Sequence, residues 1–270
     1  IIKFKLIFFL ILFFLGIKTY LYINQLMNNE NSYSVILPTL NEVGHINSLI
    51  KDISNNFDKF NIEYEIIIVD DNSVDGTVEE ILKINDTRIF IHKRIGKKKS
   101  LVDSLNEGIN ISKNQNIIWM DADFSHPPNY IEKFIKIKNE KNIDVIVCSR
   151  FLKESTRYYN AQNKKKAGID FLSNFLNKIC KIFLFSDFTD YTSGYICVKK
   201  KIIENIKLKG YYGDYFITLI TKCKLANYNV LEIPFEEKER ASGNSKTTGN
   251  KINLIIKCFF YFIALNKCIL

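Results

Sequence analysis

Residues Ile117 to Pro128 read Ile-Ile-Trp-Met-Asp-Ala-Asp-Phe-Ser-His-Pro-Pro, an apolar run that stops at two carboxylates and is followed by two prolines. The pattern predicts a short strand over Ile117–Met120, buried on both faces, that ends in a charged loop. Proline is favoured at the first position of a helix, so a helix is expected to follow. Asp121 and Asp123 then stand at the carboxyl edge of a sheet, where open α/β sheets bind their ligands. Two carboxylates one residue apart can hold a hard cation through oxygen and leave other positions on it for water and substrate phosphate. A lone Asp-x-Asp also suits a solvated turn, so the rest of the chain has to decide.

From Ser34 onward apolar strands alternate with amphipathic helices. Val35–Leu37 predicts a strand ending at Pro38-Thr39-Leu40-Asn41-Glu42, and Val43 to Phe57 has helical spacing. Ile66–Val69 predicts a second strand, ending at Asp70-Asp71-Asn72-Ser73, with Asp75 as a turn former and a helix from Val78. A weaker strand over Arg88–His92 and a helix over Leu101–Ile111 follow. After the strand at Ile117 come a helix over Tyr130–Asn139 and a strand over Val145–Val147 that ends at Ser149-Arg150. Such alternation implies an α/β fold, a mostly parallel sheet with helices on both faces. Glu42, Asp70, Asp71, Asp121, Asp123 and Arg150 all fall at or just beyond the carboxyl ends of these strands, and parallel strands share that edge. The charges are therefore expected to converge on one crevice.

At 270 residues one large domain with terminal appendages is expected. The net charge of +9 suits a polyanion or an anionic membrane surface. Lysine, asparagine and isoleucine abound throughout, however, so the charge is treated as compositional background, and no nucleic-acid partner is expected. The six cysteines form no Cys-x-x-Cys, which argues against zinc and a disulfide framework and for a reducing compartment.

Three expectations concern the ends. Residues 1–26 form a hydrophobic N-terminal segment around Leu6–Ile17, read as a signal-peptide core, a signal anchor or an interfacial segment; the block is shorter than the ~20 residues of a spanning helix. A membrane anchor is favoured, with the catalytic domain on the cytosolic side. Residues 33–248 are the expected α/β domain, and 249–270 a C-terminal hydrophobic segment. Within it Ile252–Leu265 is nearly all apolar and suits the membrane interface, a partner's transmembrane helix or closure of the core. Between Arg150 and this end the alternation lapses. Lys153–Lys166 is basic and without apolar period, which predicts a mobile loop. Ala167–Phe185 has helical spacing, Asp190–Tyr195 reads as a turn before a strand, a helix is expected from Tyr215, and Val230–Pro234 reads as a further strand. A polar loop from Arg240 to Lys246 carries two cations.

Taken together, six stretches in order resemble the family-2 glycosyltransferases of the GT-A fold, and within them the polyprenyl-phosphate mannose synthases, or dolichyl-phosphate mannosyltransferases. They are Val35–Glu42, Ile67–Thr77, Met120–Pro128, Ser149-Arg150-Phe151, Asp190–Gly194 and Arg240–Lys246. The resemblance runs from about Ser34 to Lys246 and omits the N-terminal block. It implies that Pro38, Leu40, Glu42, Val69 and Asp71 face the nucleotide. Asp121, Ala122, Asp123 and Ser125 would face the sugar diphosphate and its Mg²⁺ or Mn²⁺, while Arg150, Arg240 and Lys246 would hold anionic phosphate. Leu40 stands where the family has Tyr, Lys98 where a Gly often follows Gly96-Lys97, and Ile196-Cys197 where an Arg often follows the Thr-Ser-Gly turn. An expected arginine pair is Lys164-Lys165-Lys166, which keeps charge but loses the bidentate fork.

The implied reaction is an inverting transfer of mannose from GDP-mannose to dolichyl phosphate at the endoplasmic reticulum membrane, for glycosylation and GPI-anchor synthesis, with a small membrane-anchoring subunit as a further expected partner. Asp121, Asp123, Arg150 and Arg240 are the expected catalytic residues. A lipid phosphate has its second pKa near ~6 and is already an anion at neutral pH, so no catalytic base is required. The neighbouring alternative is transfer of glucose from UDP-glucose to the same lipid; Ser125-His126-Pro127-Pro128 favours the mannosyl reading. A non-catalytic nucleotide-sugar binder or scaffold is the alternative of another class, since fold alone does not establish activity.

Overall fold

A computed structural model describes residues 31–156, 164–238 and 251–269, together with Lys18. In chain order the elements are β1 (Tyr33–Thr39), α1 (Ile46–Asp58), β2 (Tyr64–Asp70), α2 (Thr77–Leu82), β3 (Ile89–Lys93), α3 (Leu101–Ile111), β4 (Asn116–Trp119), α4 (Tyr130–Glu140) and β5 (Val145–Ser149). There follow α5 (Lys164–Phe183), β6 (Ile196–Lys199), α6 (Lys200–Ile206), α7 (Tyr215–Leu225), β7 (Val230–Pro234) and α8 (Lys251–Ile269). The N-terminal block, residues 157–163 of the expected loop, and Arg240 and Lys246 lie outside the described residues. The expected loop to Lys166 is corrected at its end, because α5 begins at Lys164. A lysine run has no apolar period, yet lysine is a good helix former.

The seven strands form one sheet in the order β3-β2-β1-β4-β6-β5-β7. All pairs are parallel except those of β6, which runs antiparallel to both β4 and β5. β1, β2, β4 and β5 are buried along almost their whole length, as the continuous apolar runs require. Successive side chains point to opposite faces, and here each face has its own core. Ile36, Ile67, Val69, Ile117, Trp119, Val145 and Val147 pack with α3, α5, α6, α7 and Leu265 of α8. Their sequence neighbours Val35, Leu37, Ile66, Ile68, Ile118, Met120 and Ile146 pack with α1, α2 and α4. At about 1.5–3 kcal/mol for each fully buried Val, Leu, Ile or Phe, the two layers supply the bulk of the driving force.

α3 illustrates how local sequence serves this packing. Ser100 caps it by accepting the Asp103 N–H at 3.2 Å, and Val102, Leu105 and Ile109 bury one stripe. Gly108 lies on that stripe, and a Cβ there would come within 2.6 Å of Ile36 Cγ2. The absent side chain thus sets how closely α3 approaches β1. At the other end of the chain α8 closes the core, the third of the roles its sequence suits: Ala264 and Leu265 are buried, and Phe260 packs on Tyr211 with ring centroids 4.2 Å apart. Among the described residues no helix is long and apolar enough to cross a membrane.

Candidate active site

Because β1, β2, β4, β5 and β7 run the same way, their carboxyl ends form one edge. β6 runs against them, so the segment leading into it, Asp190–Tyr195, reaches that edge from the opposite direction. Each sequence-predicted acid is placed here by the turn that ends its strand.

After β2, Asp70 closes its own turn by accepting the Ser73 N–H at 2.8 Å and the Ser73 hydroxyl at 2.5 Å. It is 1 % exposed and serves the loop. Asp75 accepts from Thr77 N–H at 3.0 Å and Val43 N–H at 3.1 Å, the turn role expected of it. Asp71 is buried; its Oδ1 takes a 2.6 Å bond from Arg94 Nη1 and its Oδ2 a 2.7 Å bond from the Ser100 N–H. Val69 is fully buried and gives its side chain to the core, whereas Pro38, Leu40 and Glu42 are partly exposed at the end of β1.

After β4, Ser125 N–H donates to Asp123 Oδ1 at 3.0 Å and Phe124 between them has φ 65°, a left-handed conformation uncommon for a bulky residue. Asp123 is 4 % exposed. Asp121 N–H donates to His126 Nδ1 at 2.9 Å, which makes His126 an acceptor at that nitrogen. The His126 ring stacks on Tyr195 with centroids 4.8 Å apart, and the Tyr195 hydroxyl donates to the Pro127 carbonyl at 3.0 Å. The Asp121 backbone is thereby fixed while its carboxylate, partly exposed, accepts no hydrogen bond from the described residues. His45 ties this loop to the one after β1: its Nε2 is 2.9 Å from the Ala122 carbonyl and 3.1 Å from Glu42 Oε2, and two acceptors require the proton on Nε2.

This donor set suits a divalent cation. One carboxylate is held in place by its own turn and the other is unengaged, both hard oxygen ligands. Two carboxylates would leave room on such an ion for diphosphate and water, the arrangement Mg²⁺ favours; among the described residues no group of three or more His, Cys, Asp or Glu gathers to hold a metal.

Arg150, after β5, is engaged within the protein through much of its guanidinium. Its Nε donates to Asp190 Oδ2 and its Nη2 to Asp190 Oδ1, each at 2.9 Å, and Nη2 also reaches the Thr192 carbonyl at 2.7 Å. Burial opposes the arginine charge, but the fully buried Asp190 more than offsets it and raises the pKa above the ordinary arginine value. The fork assigned to substrate phosphate is committed to the protein, and only Nη1 remains outside these bonds. Asp190 is in turn set by Glu232 of β7, which accepts the Thr189 and Asp190 N–H groups at 2.7 and 2.9 Å. Beyond β7, Lys238 N–H donates to the Ser125 carbonyl at 3.3 Å, so the chain two residues before Arg240 runs against the Asp121–Ser125 loop.

Sequence reasoning missed the roles of His45, Arg94, Glu107, His126 and Asp190. Arg94 follows β3 directly and was available to the same strand-end rule; the others hold partners that only the tertiary fold brings near.

The fold is of the GT-A type, and the chain belongs to glycosyl transferase family 2, whose model matches residues 34–207. It is 32% identical over 226 residues to a dolichol-phosphate mannosyltransferase of Pyrococcus furiosus, an alignment that takes in 81% of this chain and 60% of the relative. The chain thus spans less than two thirds of that relative's length. In fold it resembles glucosyl-3-phosphoglycerate synthase of Mycobacterium tuberculosis, crystallised with Mn²⁺, UDP and glucosyl-3-phosphoglycerate (TM-score 0.65, 15% identity, 88% of this chain and 80% of that one). A second crystal structure of that enzyme, with Mg²⁺ and UDP, gives a TM-score of 0.64 at 15% identity over 88% of this chain and 79% of that one.

Proposed function

We propose that this protein transfers mannose from GDP-mannose to dolichyl phosphate, with inversion at the anomeric carbon. The observation that carries the reading is the Asp121–Asp123 loop, with one carboxylate fixed and one unengaged at the carboxyl edge of a family-2 fold. The named activity of the Pyrococcus relative supports a polyprenyl-phosphate acceptor.

In this reading Pro38, Leu40, Glu42 and Asp71 bound the nucleoside, with Val69 behind them in the core. Asp121 and Asp123, with Ser125 beside them, hold Mg²⁺ or Mn²⁺. Bound there, the ion offsets the negative charge that grows on the departing diphosphate. The lipid phosphate attacks from the face opposite the diphosphate and needs no base, since it is ionised at neutral pH. Two anionic partners must meet, and Arg240, Lys246 and Nη1 of Arg150 reduce their repulsion. His45 ties the loop after β1 to the loop after β4, and His126 fixes the Asp121 end of the latter, each through a hydrogen bond to backbone. The site works at the cytosolic face of the endoplasmic reticulum membrane, with the N-terminal segment as anchor and a small membrane subunit as partner.

The test supplies membranes containing the chain with Mg²⁺, dolichyl phosphate and either labelled GDP-mannose or labelled UDP-glucose, and counts label in the organic phase. Mannose in the lipid is the expected result. Glucose instead would move the donor assignment to UDP-glucose, and absence of transfer from either, with nucleotide still bound, would overturn the catalytic reading.

A further inference from the structure

Away from the Asp121–Asp123 loop, the carboxylate of Glu107 on α3 collects three basic groups. Its Oε1 accepts from Arg94 Nε at 3.1 Å and Lys97 Nζ at 2.9 Å, and its Oε2 lies 2.7 Å from His92 Nε2. Burial alone would raise the Glu107 pKa; the hydrogen bonds from Lys97, His92 and Arg94 outweigh it and bring the value to about 2. Glu107 is therefore an anion at any physiological pH.

Arg94 carries that charge inward. Its side chain is 2 % exposed. Besides Glu107, its Nη1 donates to Asp71 Oδ1 at 2.6 Å and to Ser104 Oγ at 3.3 Å, and its Nη2 lies 3.5 Å from Asp103 Oδ2. The Arg94 N–H meanwhile donates to the Asp70 carbonyl at 2.8 Å. A buried guanidinium with one acceptor could rotate about it; two carboxylates on different elements, one at Nε and one at Nη1, fix its plane. The other Asp71 oxygen is held by the Ser100 N–H at the start of α3. Asp71 thus takes its orientation from Glu107 and Ser100 of the same helix, which Gly108 seats against β1.

We propose that Glu107 is a positioning residue for the nucleotide donor: it touches no substrate, but holds Arg94 and through it the Asp71 carboxylate in the orientation that meets the donor. The proposal rests on the reading of Asp71 as nucleotide-facing. Replacing Glu107 by Gln keeps one acceptor oxygen for Arg94 Nε, Lys97 and His92 to compete for and removes the charge that ties all three, so the guanidinium turns toward Asp103 or Ser104, taking Asp71 with it. A cleft of about 400 Å³ lined by Arg94, Lys97, Lys98, Asp103, Asn106 and Glu107 borders the group. The Glu107 side chain is 21 % exposed, so an isosteric amide is accommodated without repacking.

The test measures GDP and UDP binding by calorimetry, and donor KM and kcat, for the full chain and for Glu107→Gln, Asp71→Asn and the double variant, with Tm as a check on folding. Expected for Glu107→Gln is nucleotide affinity lower by about tenfold, the scale of losing a hydrogen bond to a charged group, with donor KM raised and kcat within about twofold. The double variant binds no worse than Asp71→Asn alone, because Glu107 acts through Asp71. A merely structural brace would lower the active fraction and leave KM unchanged, which overturns the proposal, as does strict additivity in the double variant. Weakened binding in Asp71→Asn with none in Glu107→Gln overturns the positioning role and leaves the site reading intact. If neither substitution moves binding, Asp71 does not face the nucleotide and both statements fall.

Discussion

Asp123 and Asp190 are both buried acids at one sheet edge, yet they do opposite work. Asp190 accepts from Arg150, and its pKa stays low because that pair outweighs the cost of burial. Removing it leaves a buried guanidinium without its partner, so Asp190→Ala should cost about 3–5 kcal/mol, read as a fall in the denaturant midpoint; an unchanged midpoint would mean the pair is incidental. Asp123 instead sits in a turn whose next residue, Phe124, has φ 65°, and its neighbour Asp121 accepts no hydrogen bond among the described residues; in the proposed function both serve a ligand. Glu107 makes a prediction in pH. Its folded pKa of about 2 lies below its ordinary 4.5, so its contribution to stability is full above pH 4.5 and lost as pH falls toward 2. The Tm difference between wild type and Glu107→Gln should therefore shrink over that window, and a difference constant with pH would contradict the charge network.

The elements divide into those the residue pattern announces and those that depend on neighbours. α3 and β7 begin and end where the periodicity and apolar run place them, at Leu101–Ile111 and Val230–Pro234. α6 was not anticipated, because seven residues with two buried isoleucines give too short a period to read. The strand after the Thr-Ser-Gly turn was legible, but its direction was not: nothing local tells an antiparallel β6 from a parallel one. Only that direction brings Asp190 to Arg150, so the ion pair between them was not legible from the residue type at position 150. The acids at the strand ends were legible because strand-end position and charge are both local facts. Two glycines test the packing. Gly108→Ala gains about 1 kcal/mol of helix propensity, but the new methyl must displace Ile36 Cγ2, an overpacking cost of about 1–3 kcal/mol, so a Tm lower by a few degrees is expected and a rise would contradict the close approach of α3. Gly213 lies against the Tyr261 hydroxyl of α8; Gly213→Ala should loosen α8, seen as faster proteolysis within 251–269 and little change elsewhere.

Across the described residues, one sheet separates two cores and gathers the carboxyl ends of its parallel strands at one edge. Helices α1, α2 and α4 brace the loops that end β1, β2 and β4 from one face, while α3 and α5–α8 brace the other. The three acidic turns and the Arg150–Asp190 pair sit at this edge, so the proposed substrate site has a backbone that is already fixed. In the proposed function the Asp121–Asp123 loop is the chemical centre of that edge. The most direct measurement is single-turnover transfer of label from GDP-mannose to dolichyl phosphate across a Mg²⁺ titration, for wild type and Asp123→Ala. Transfer that rises with Mg²⁺ and falls at least ~100-fold in the variant, the scale of losing one key electrostatic stabiliser, is the predicted result; equal transfer by the two proteins would contradict the account.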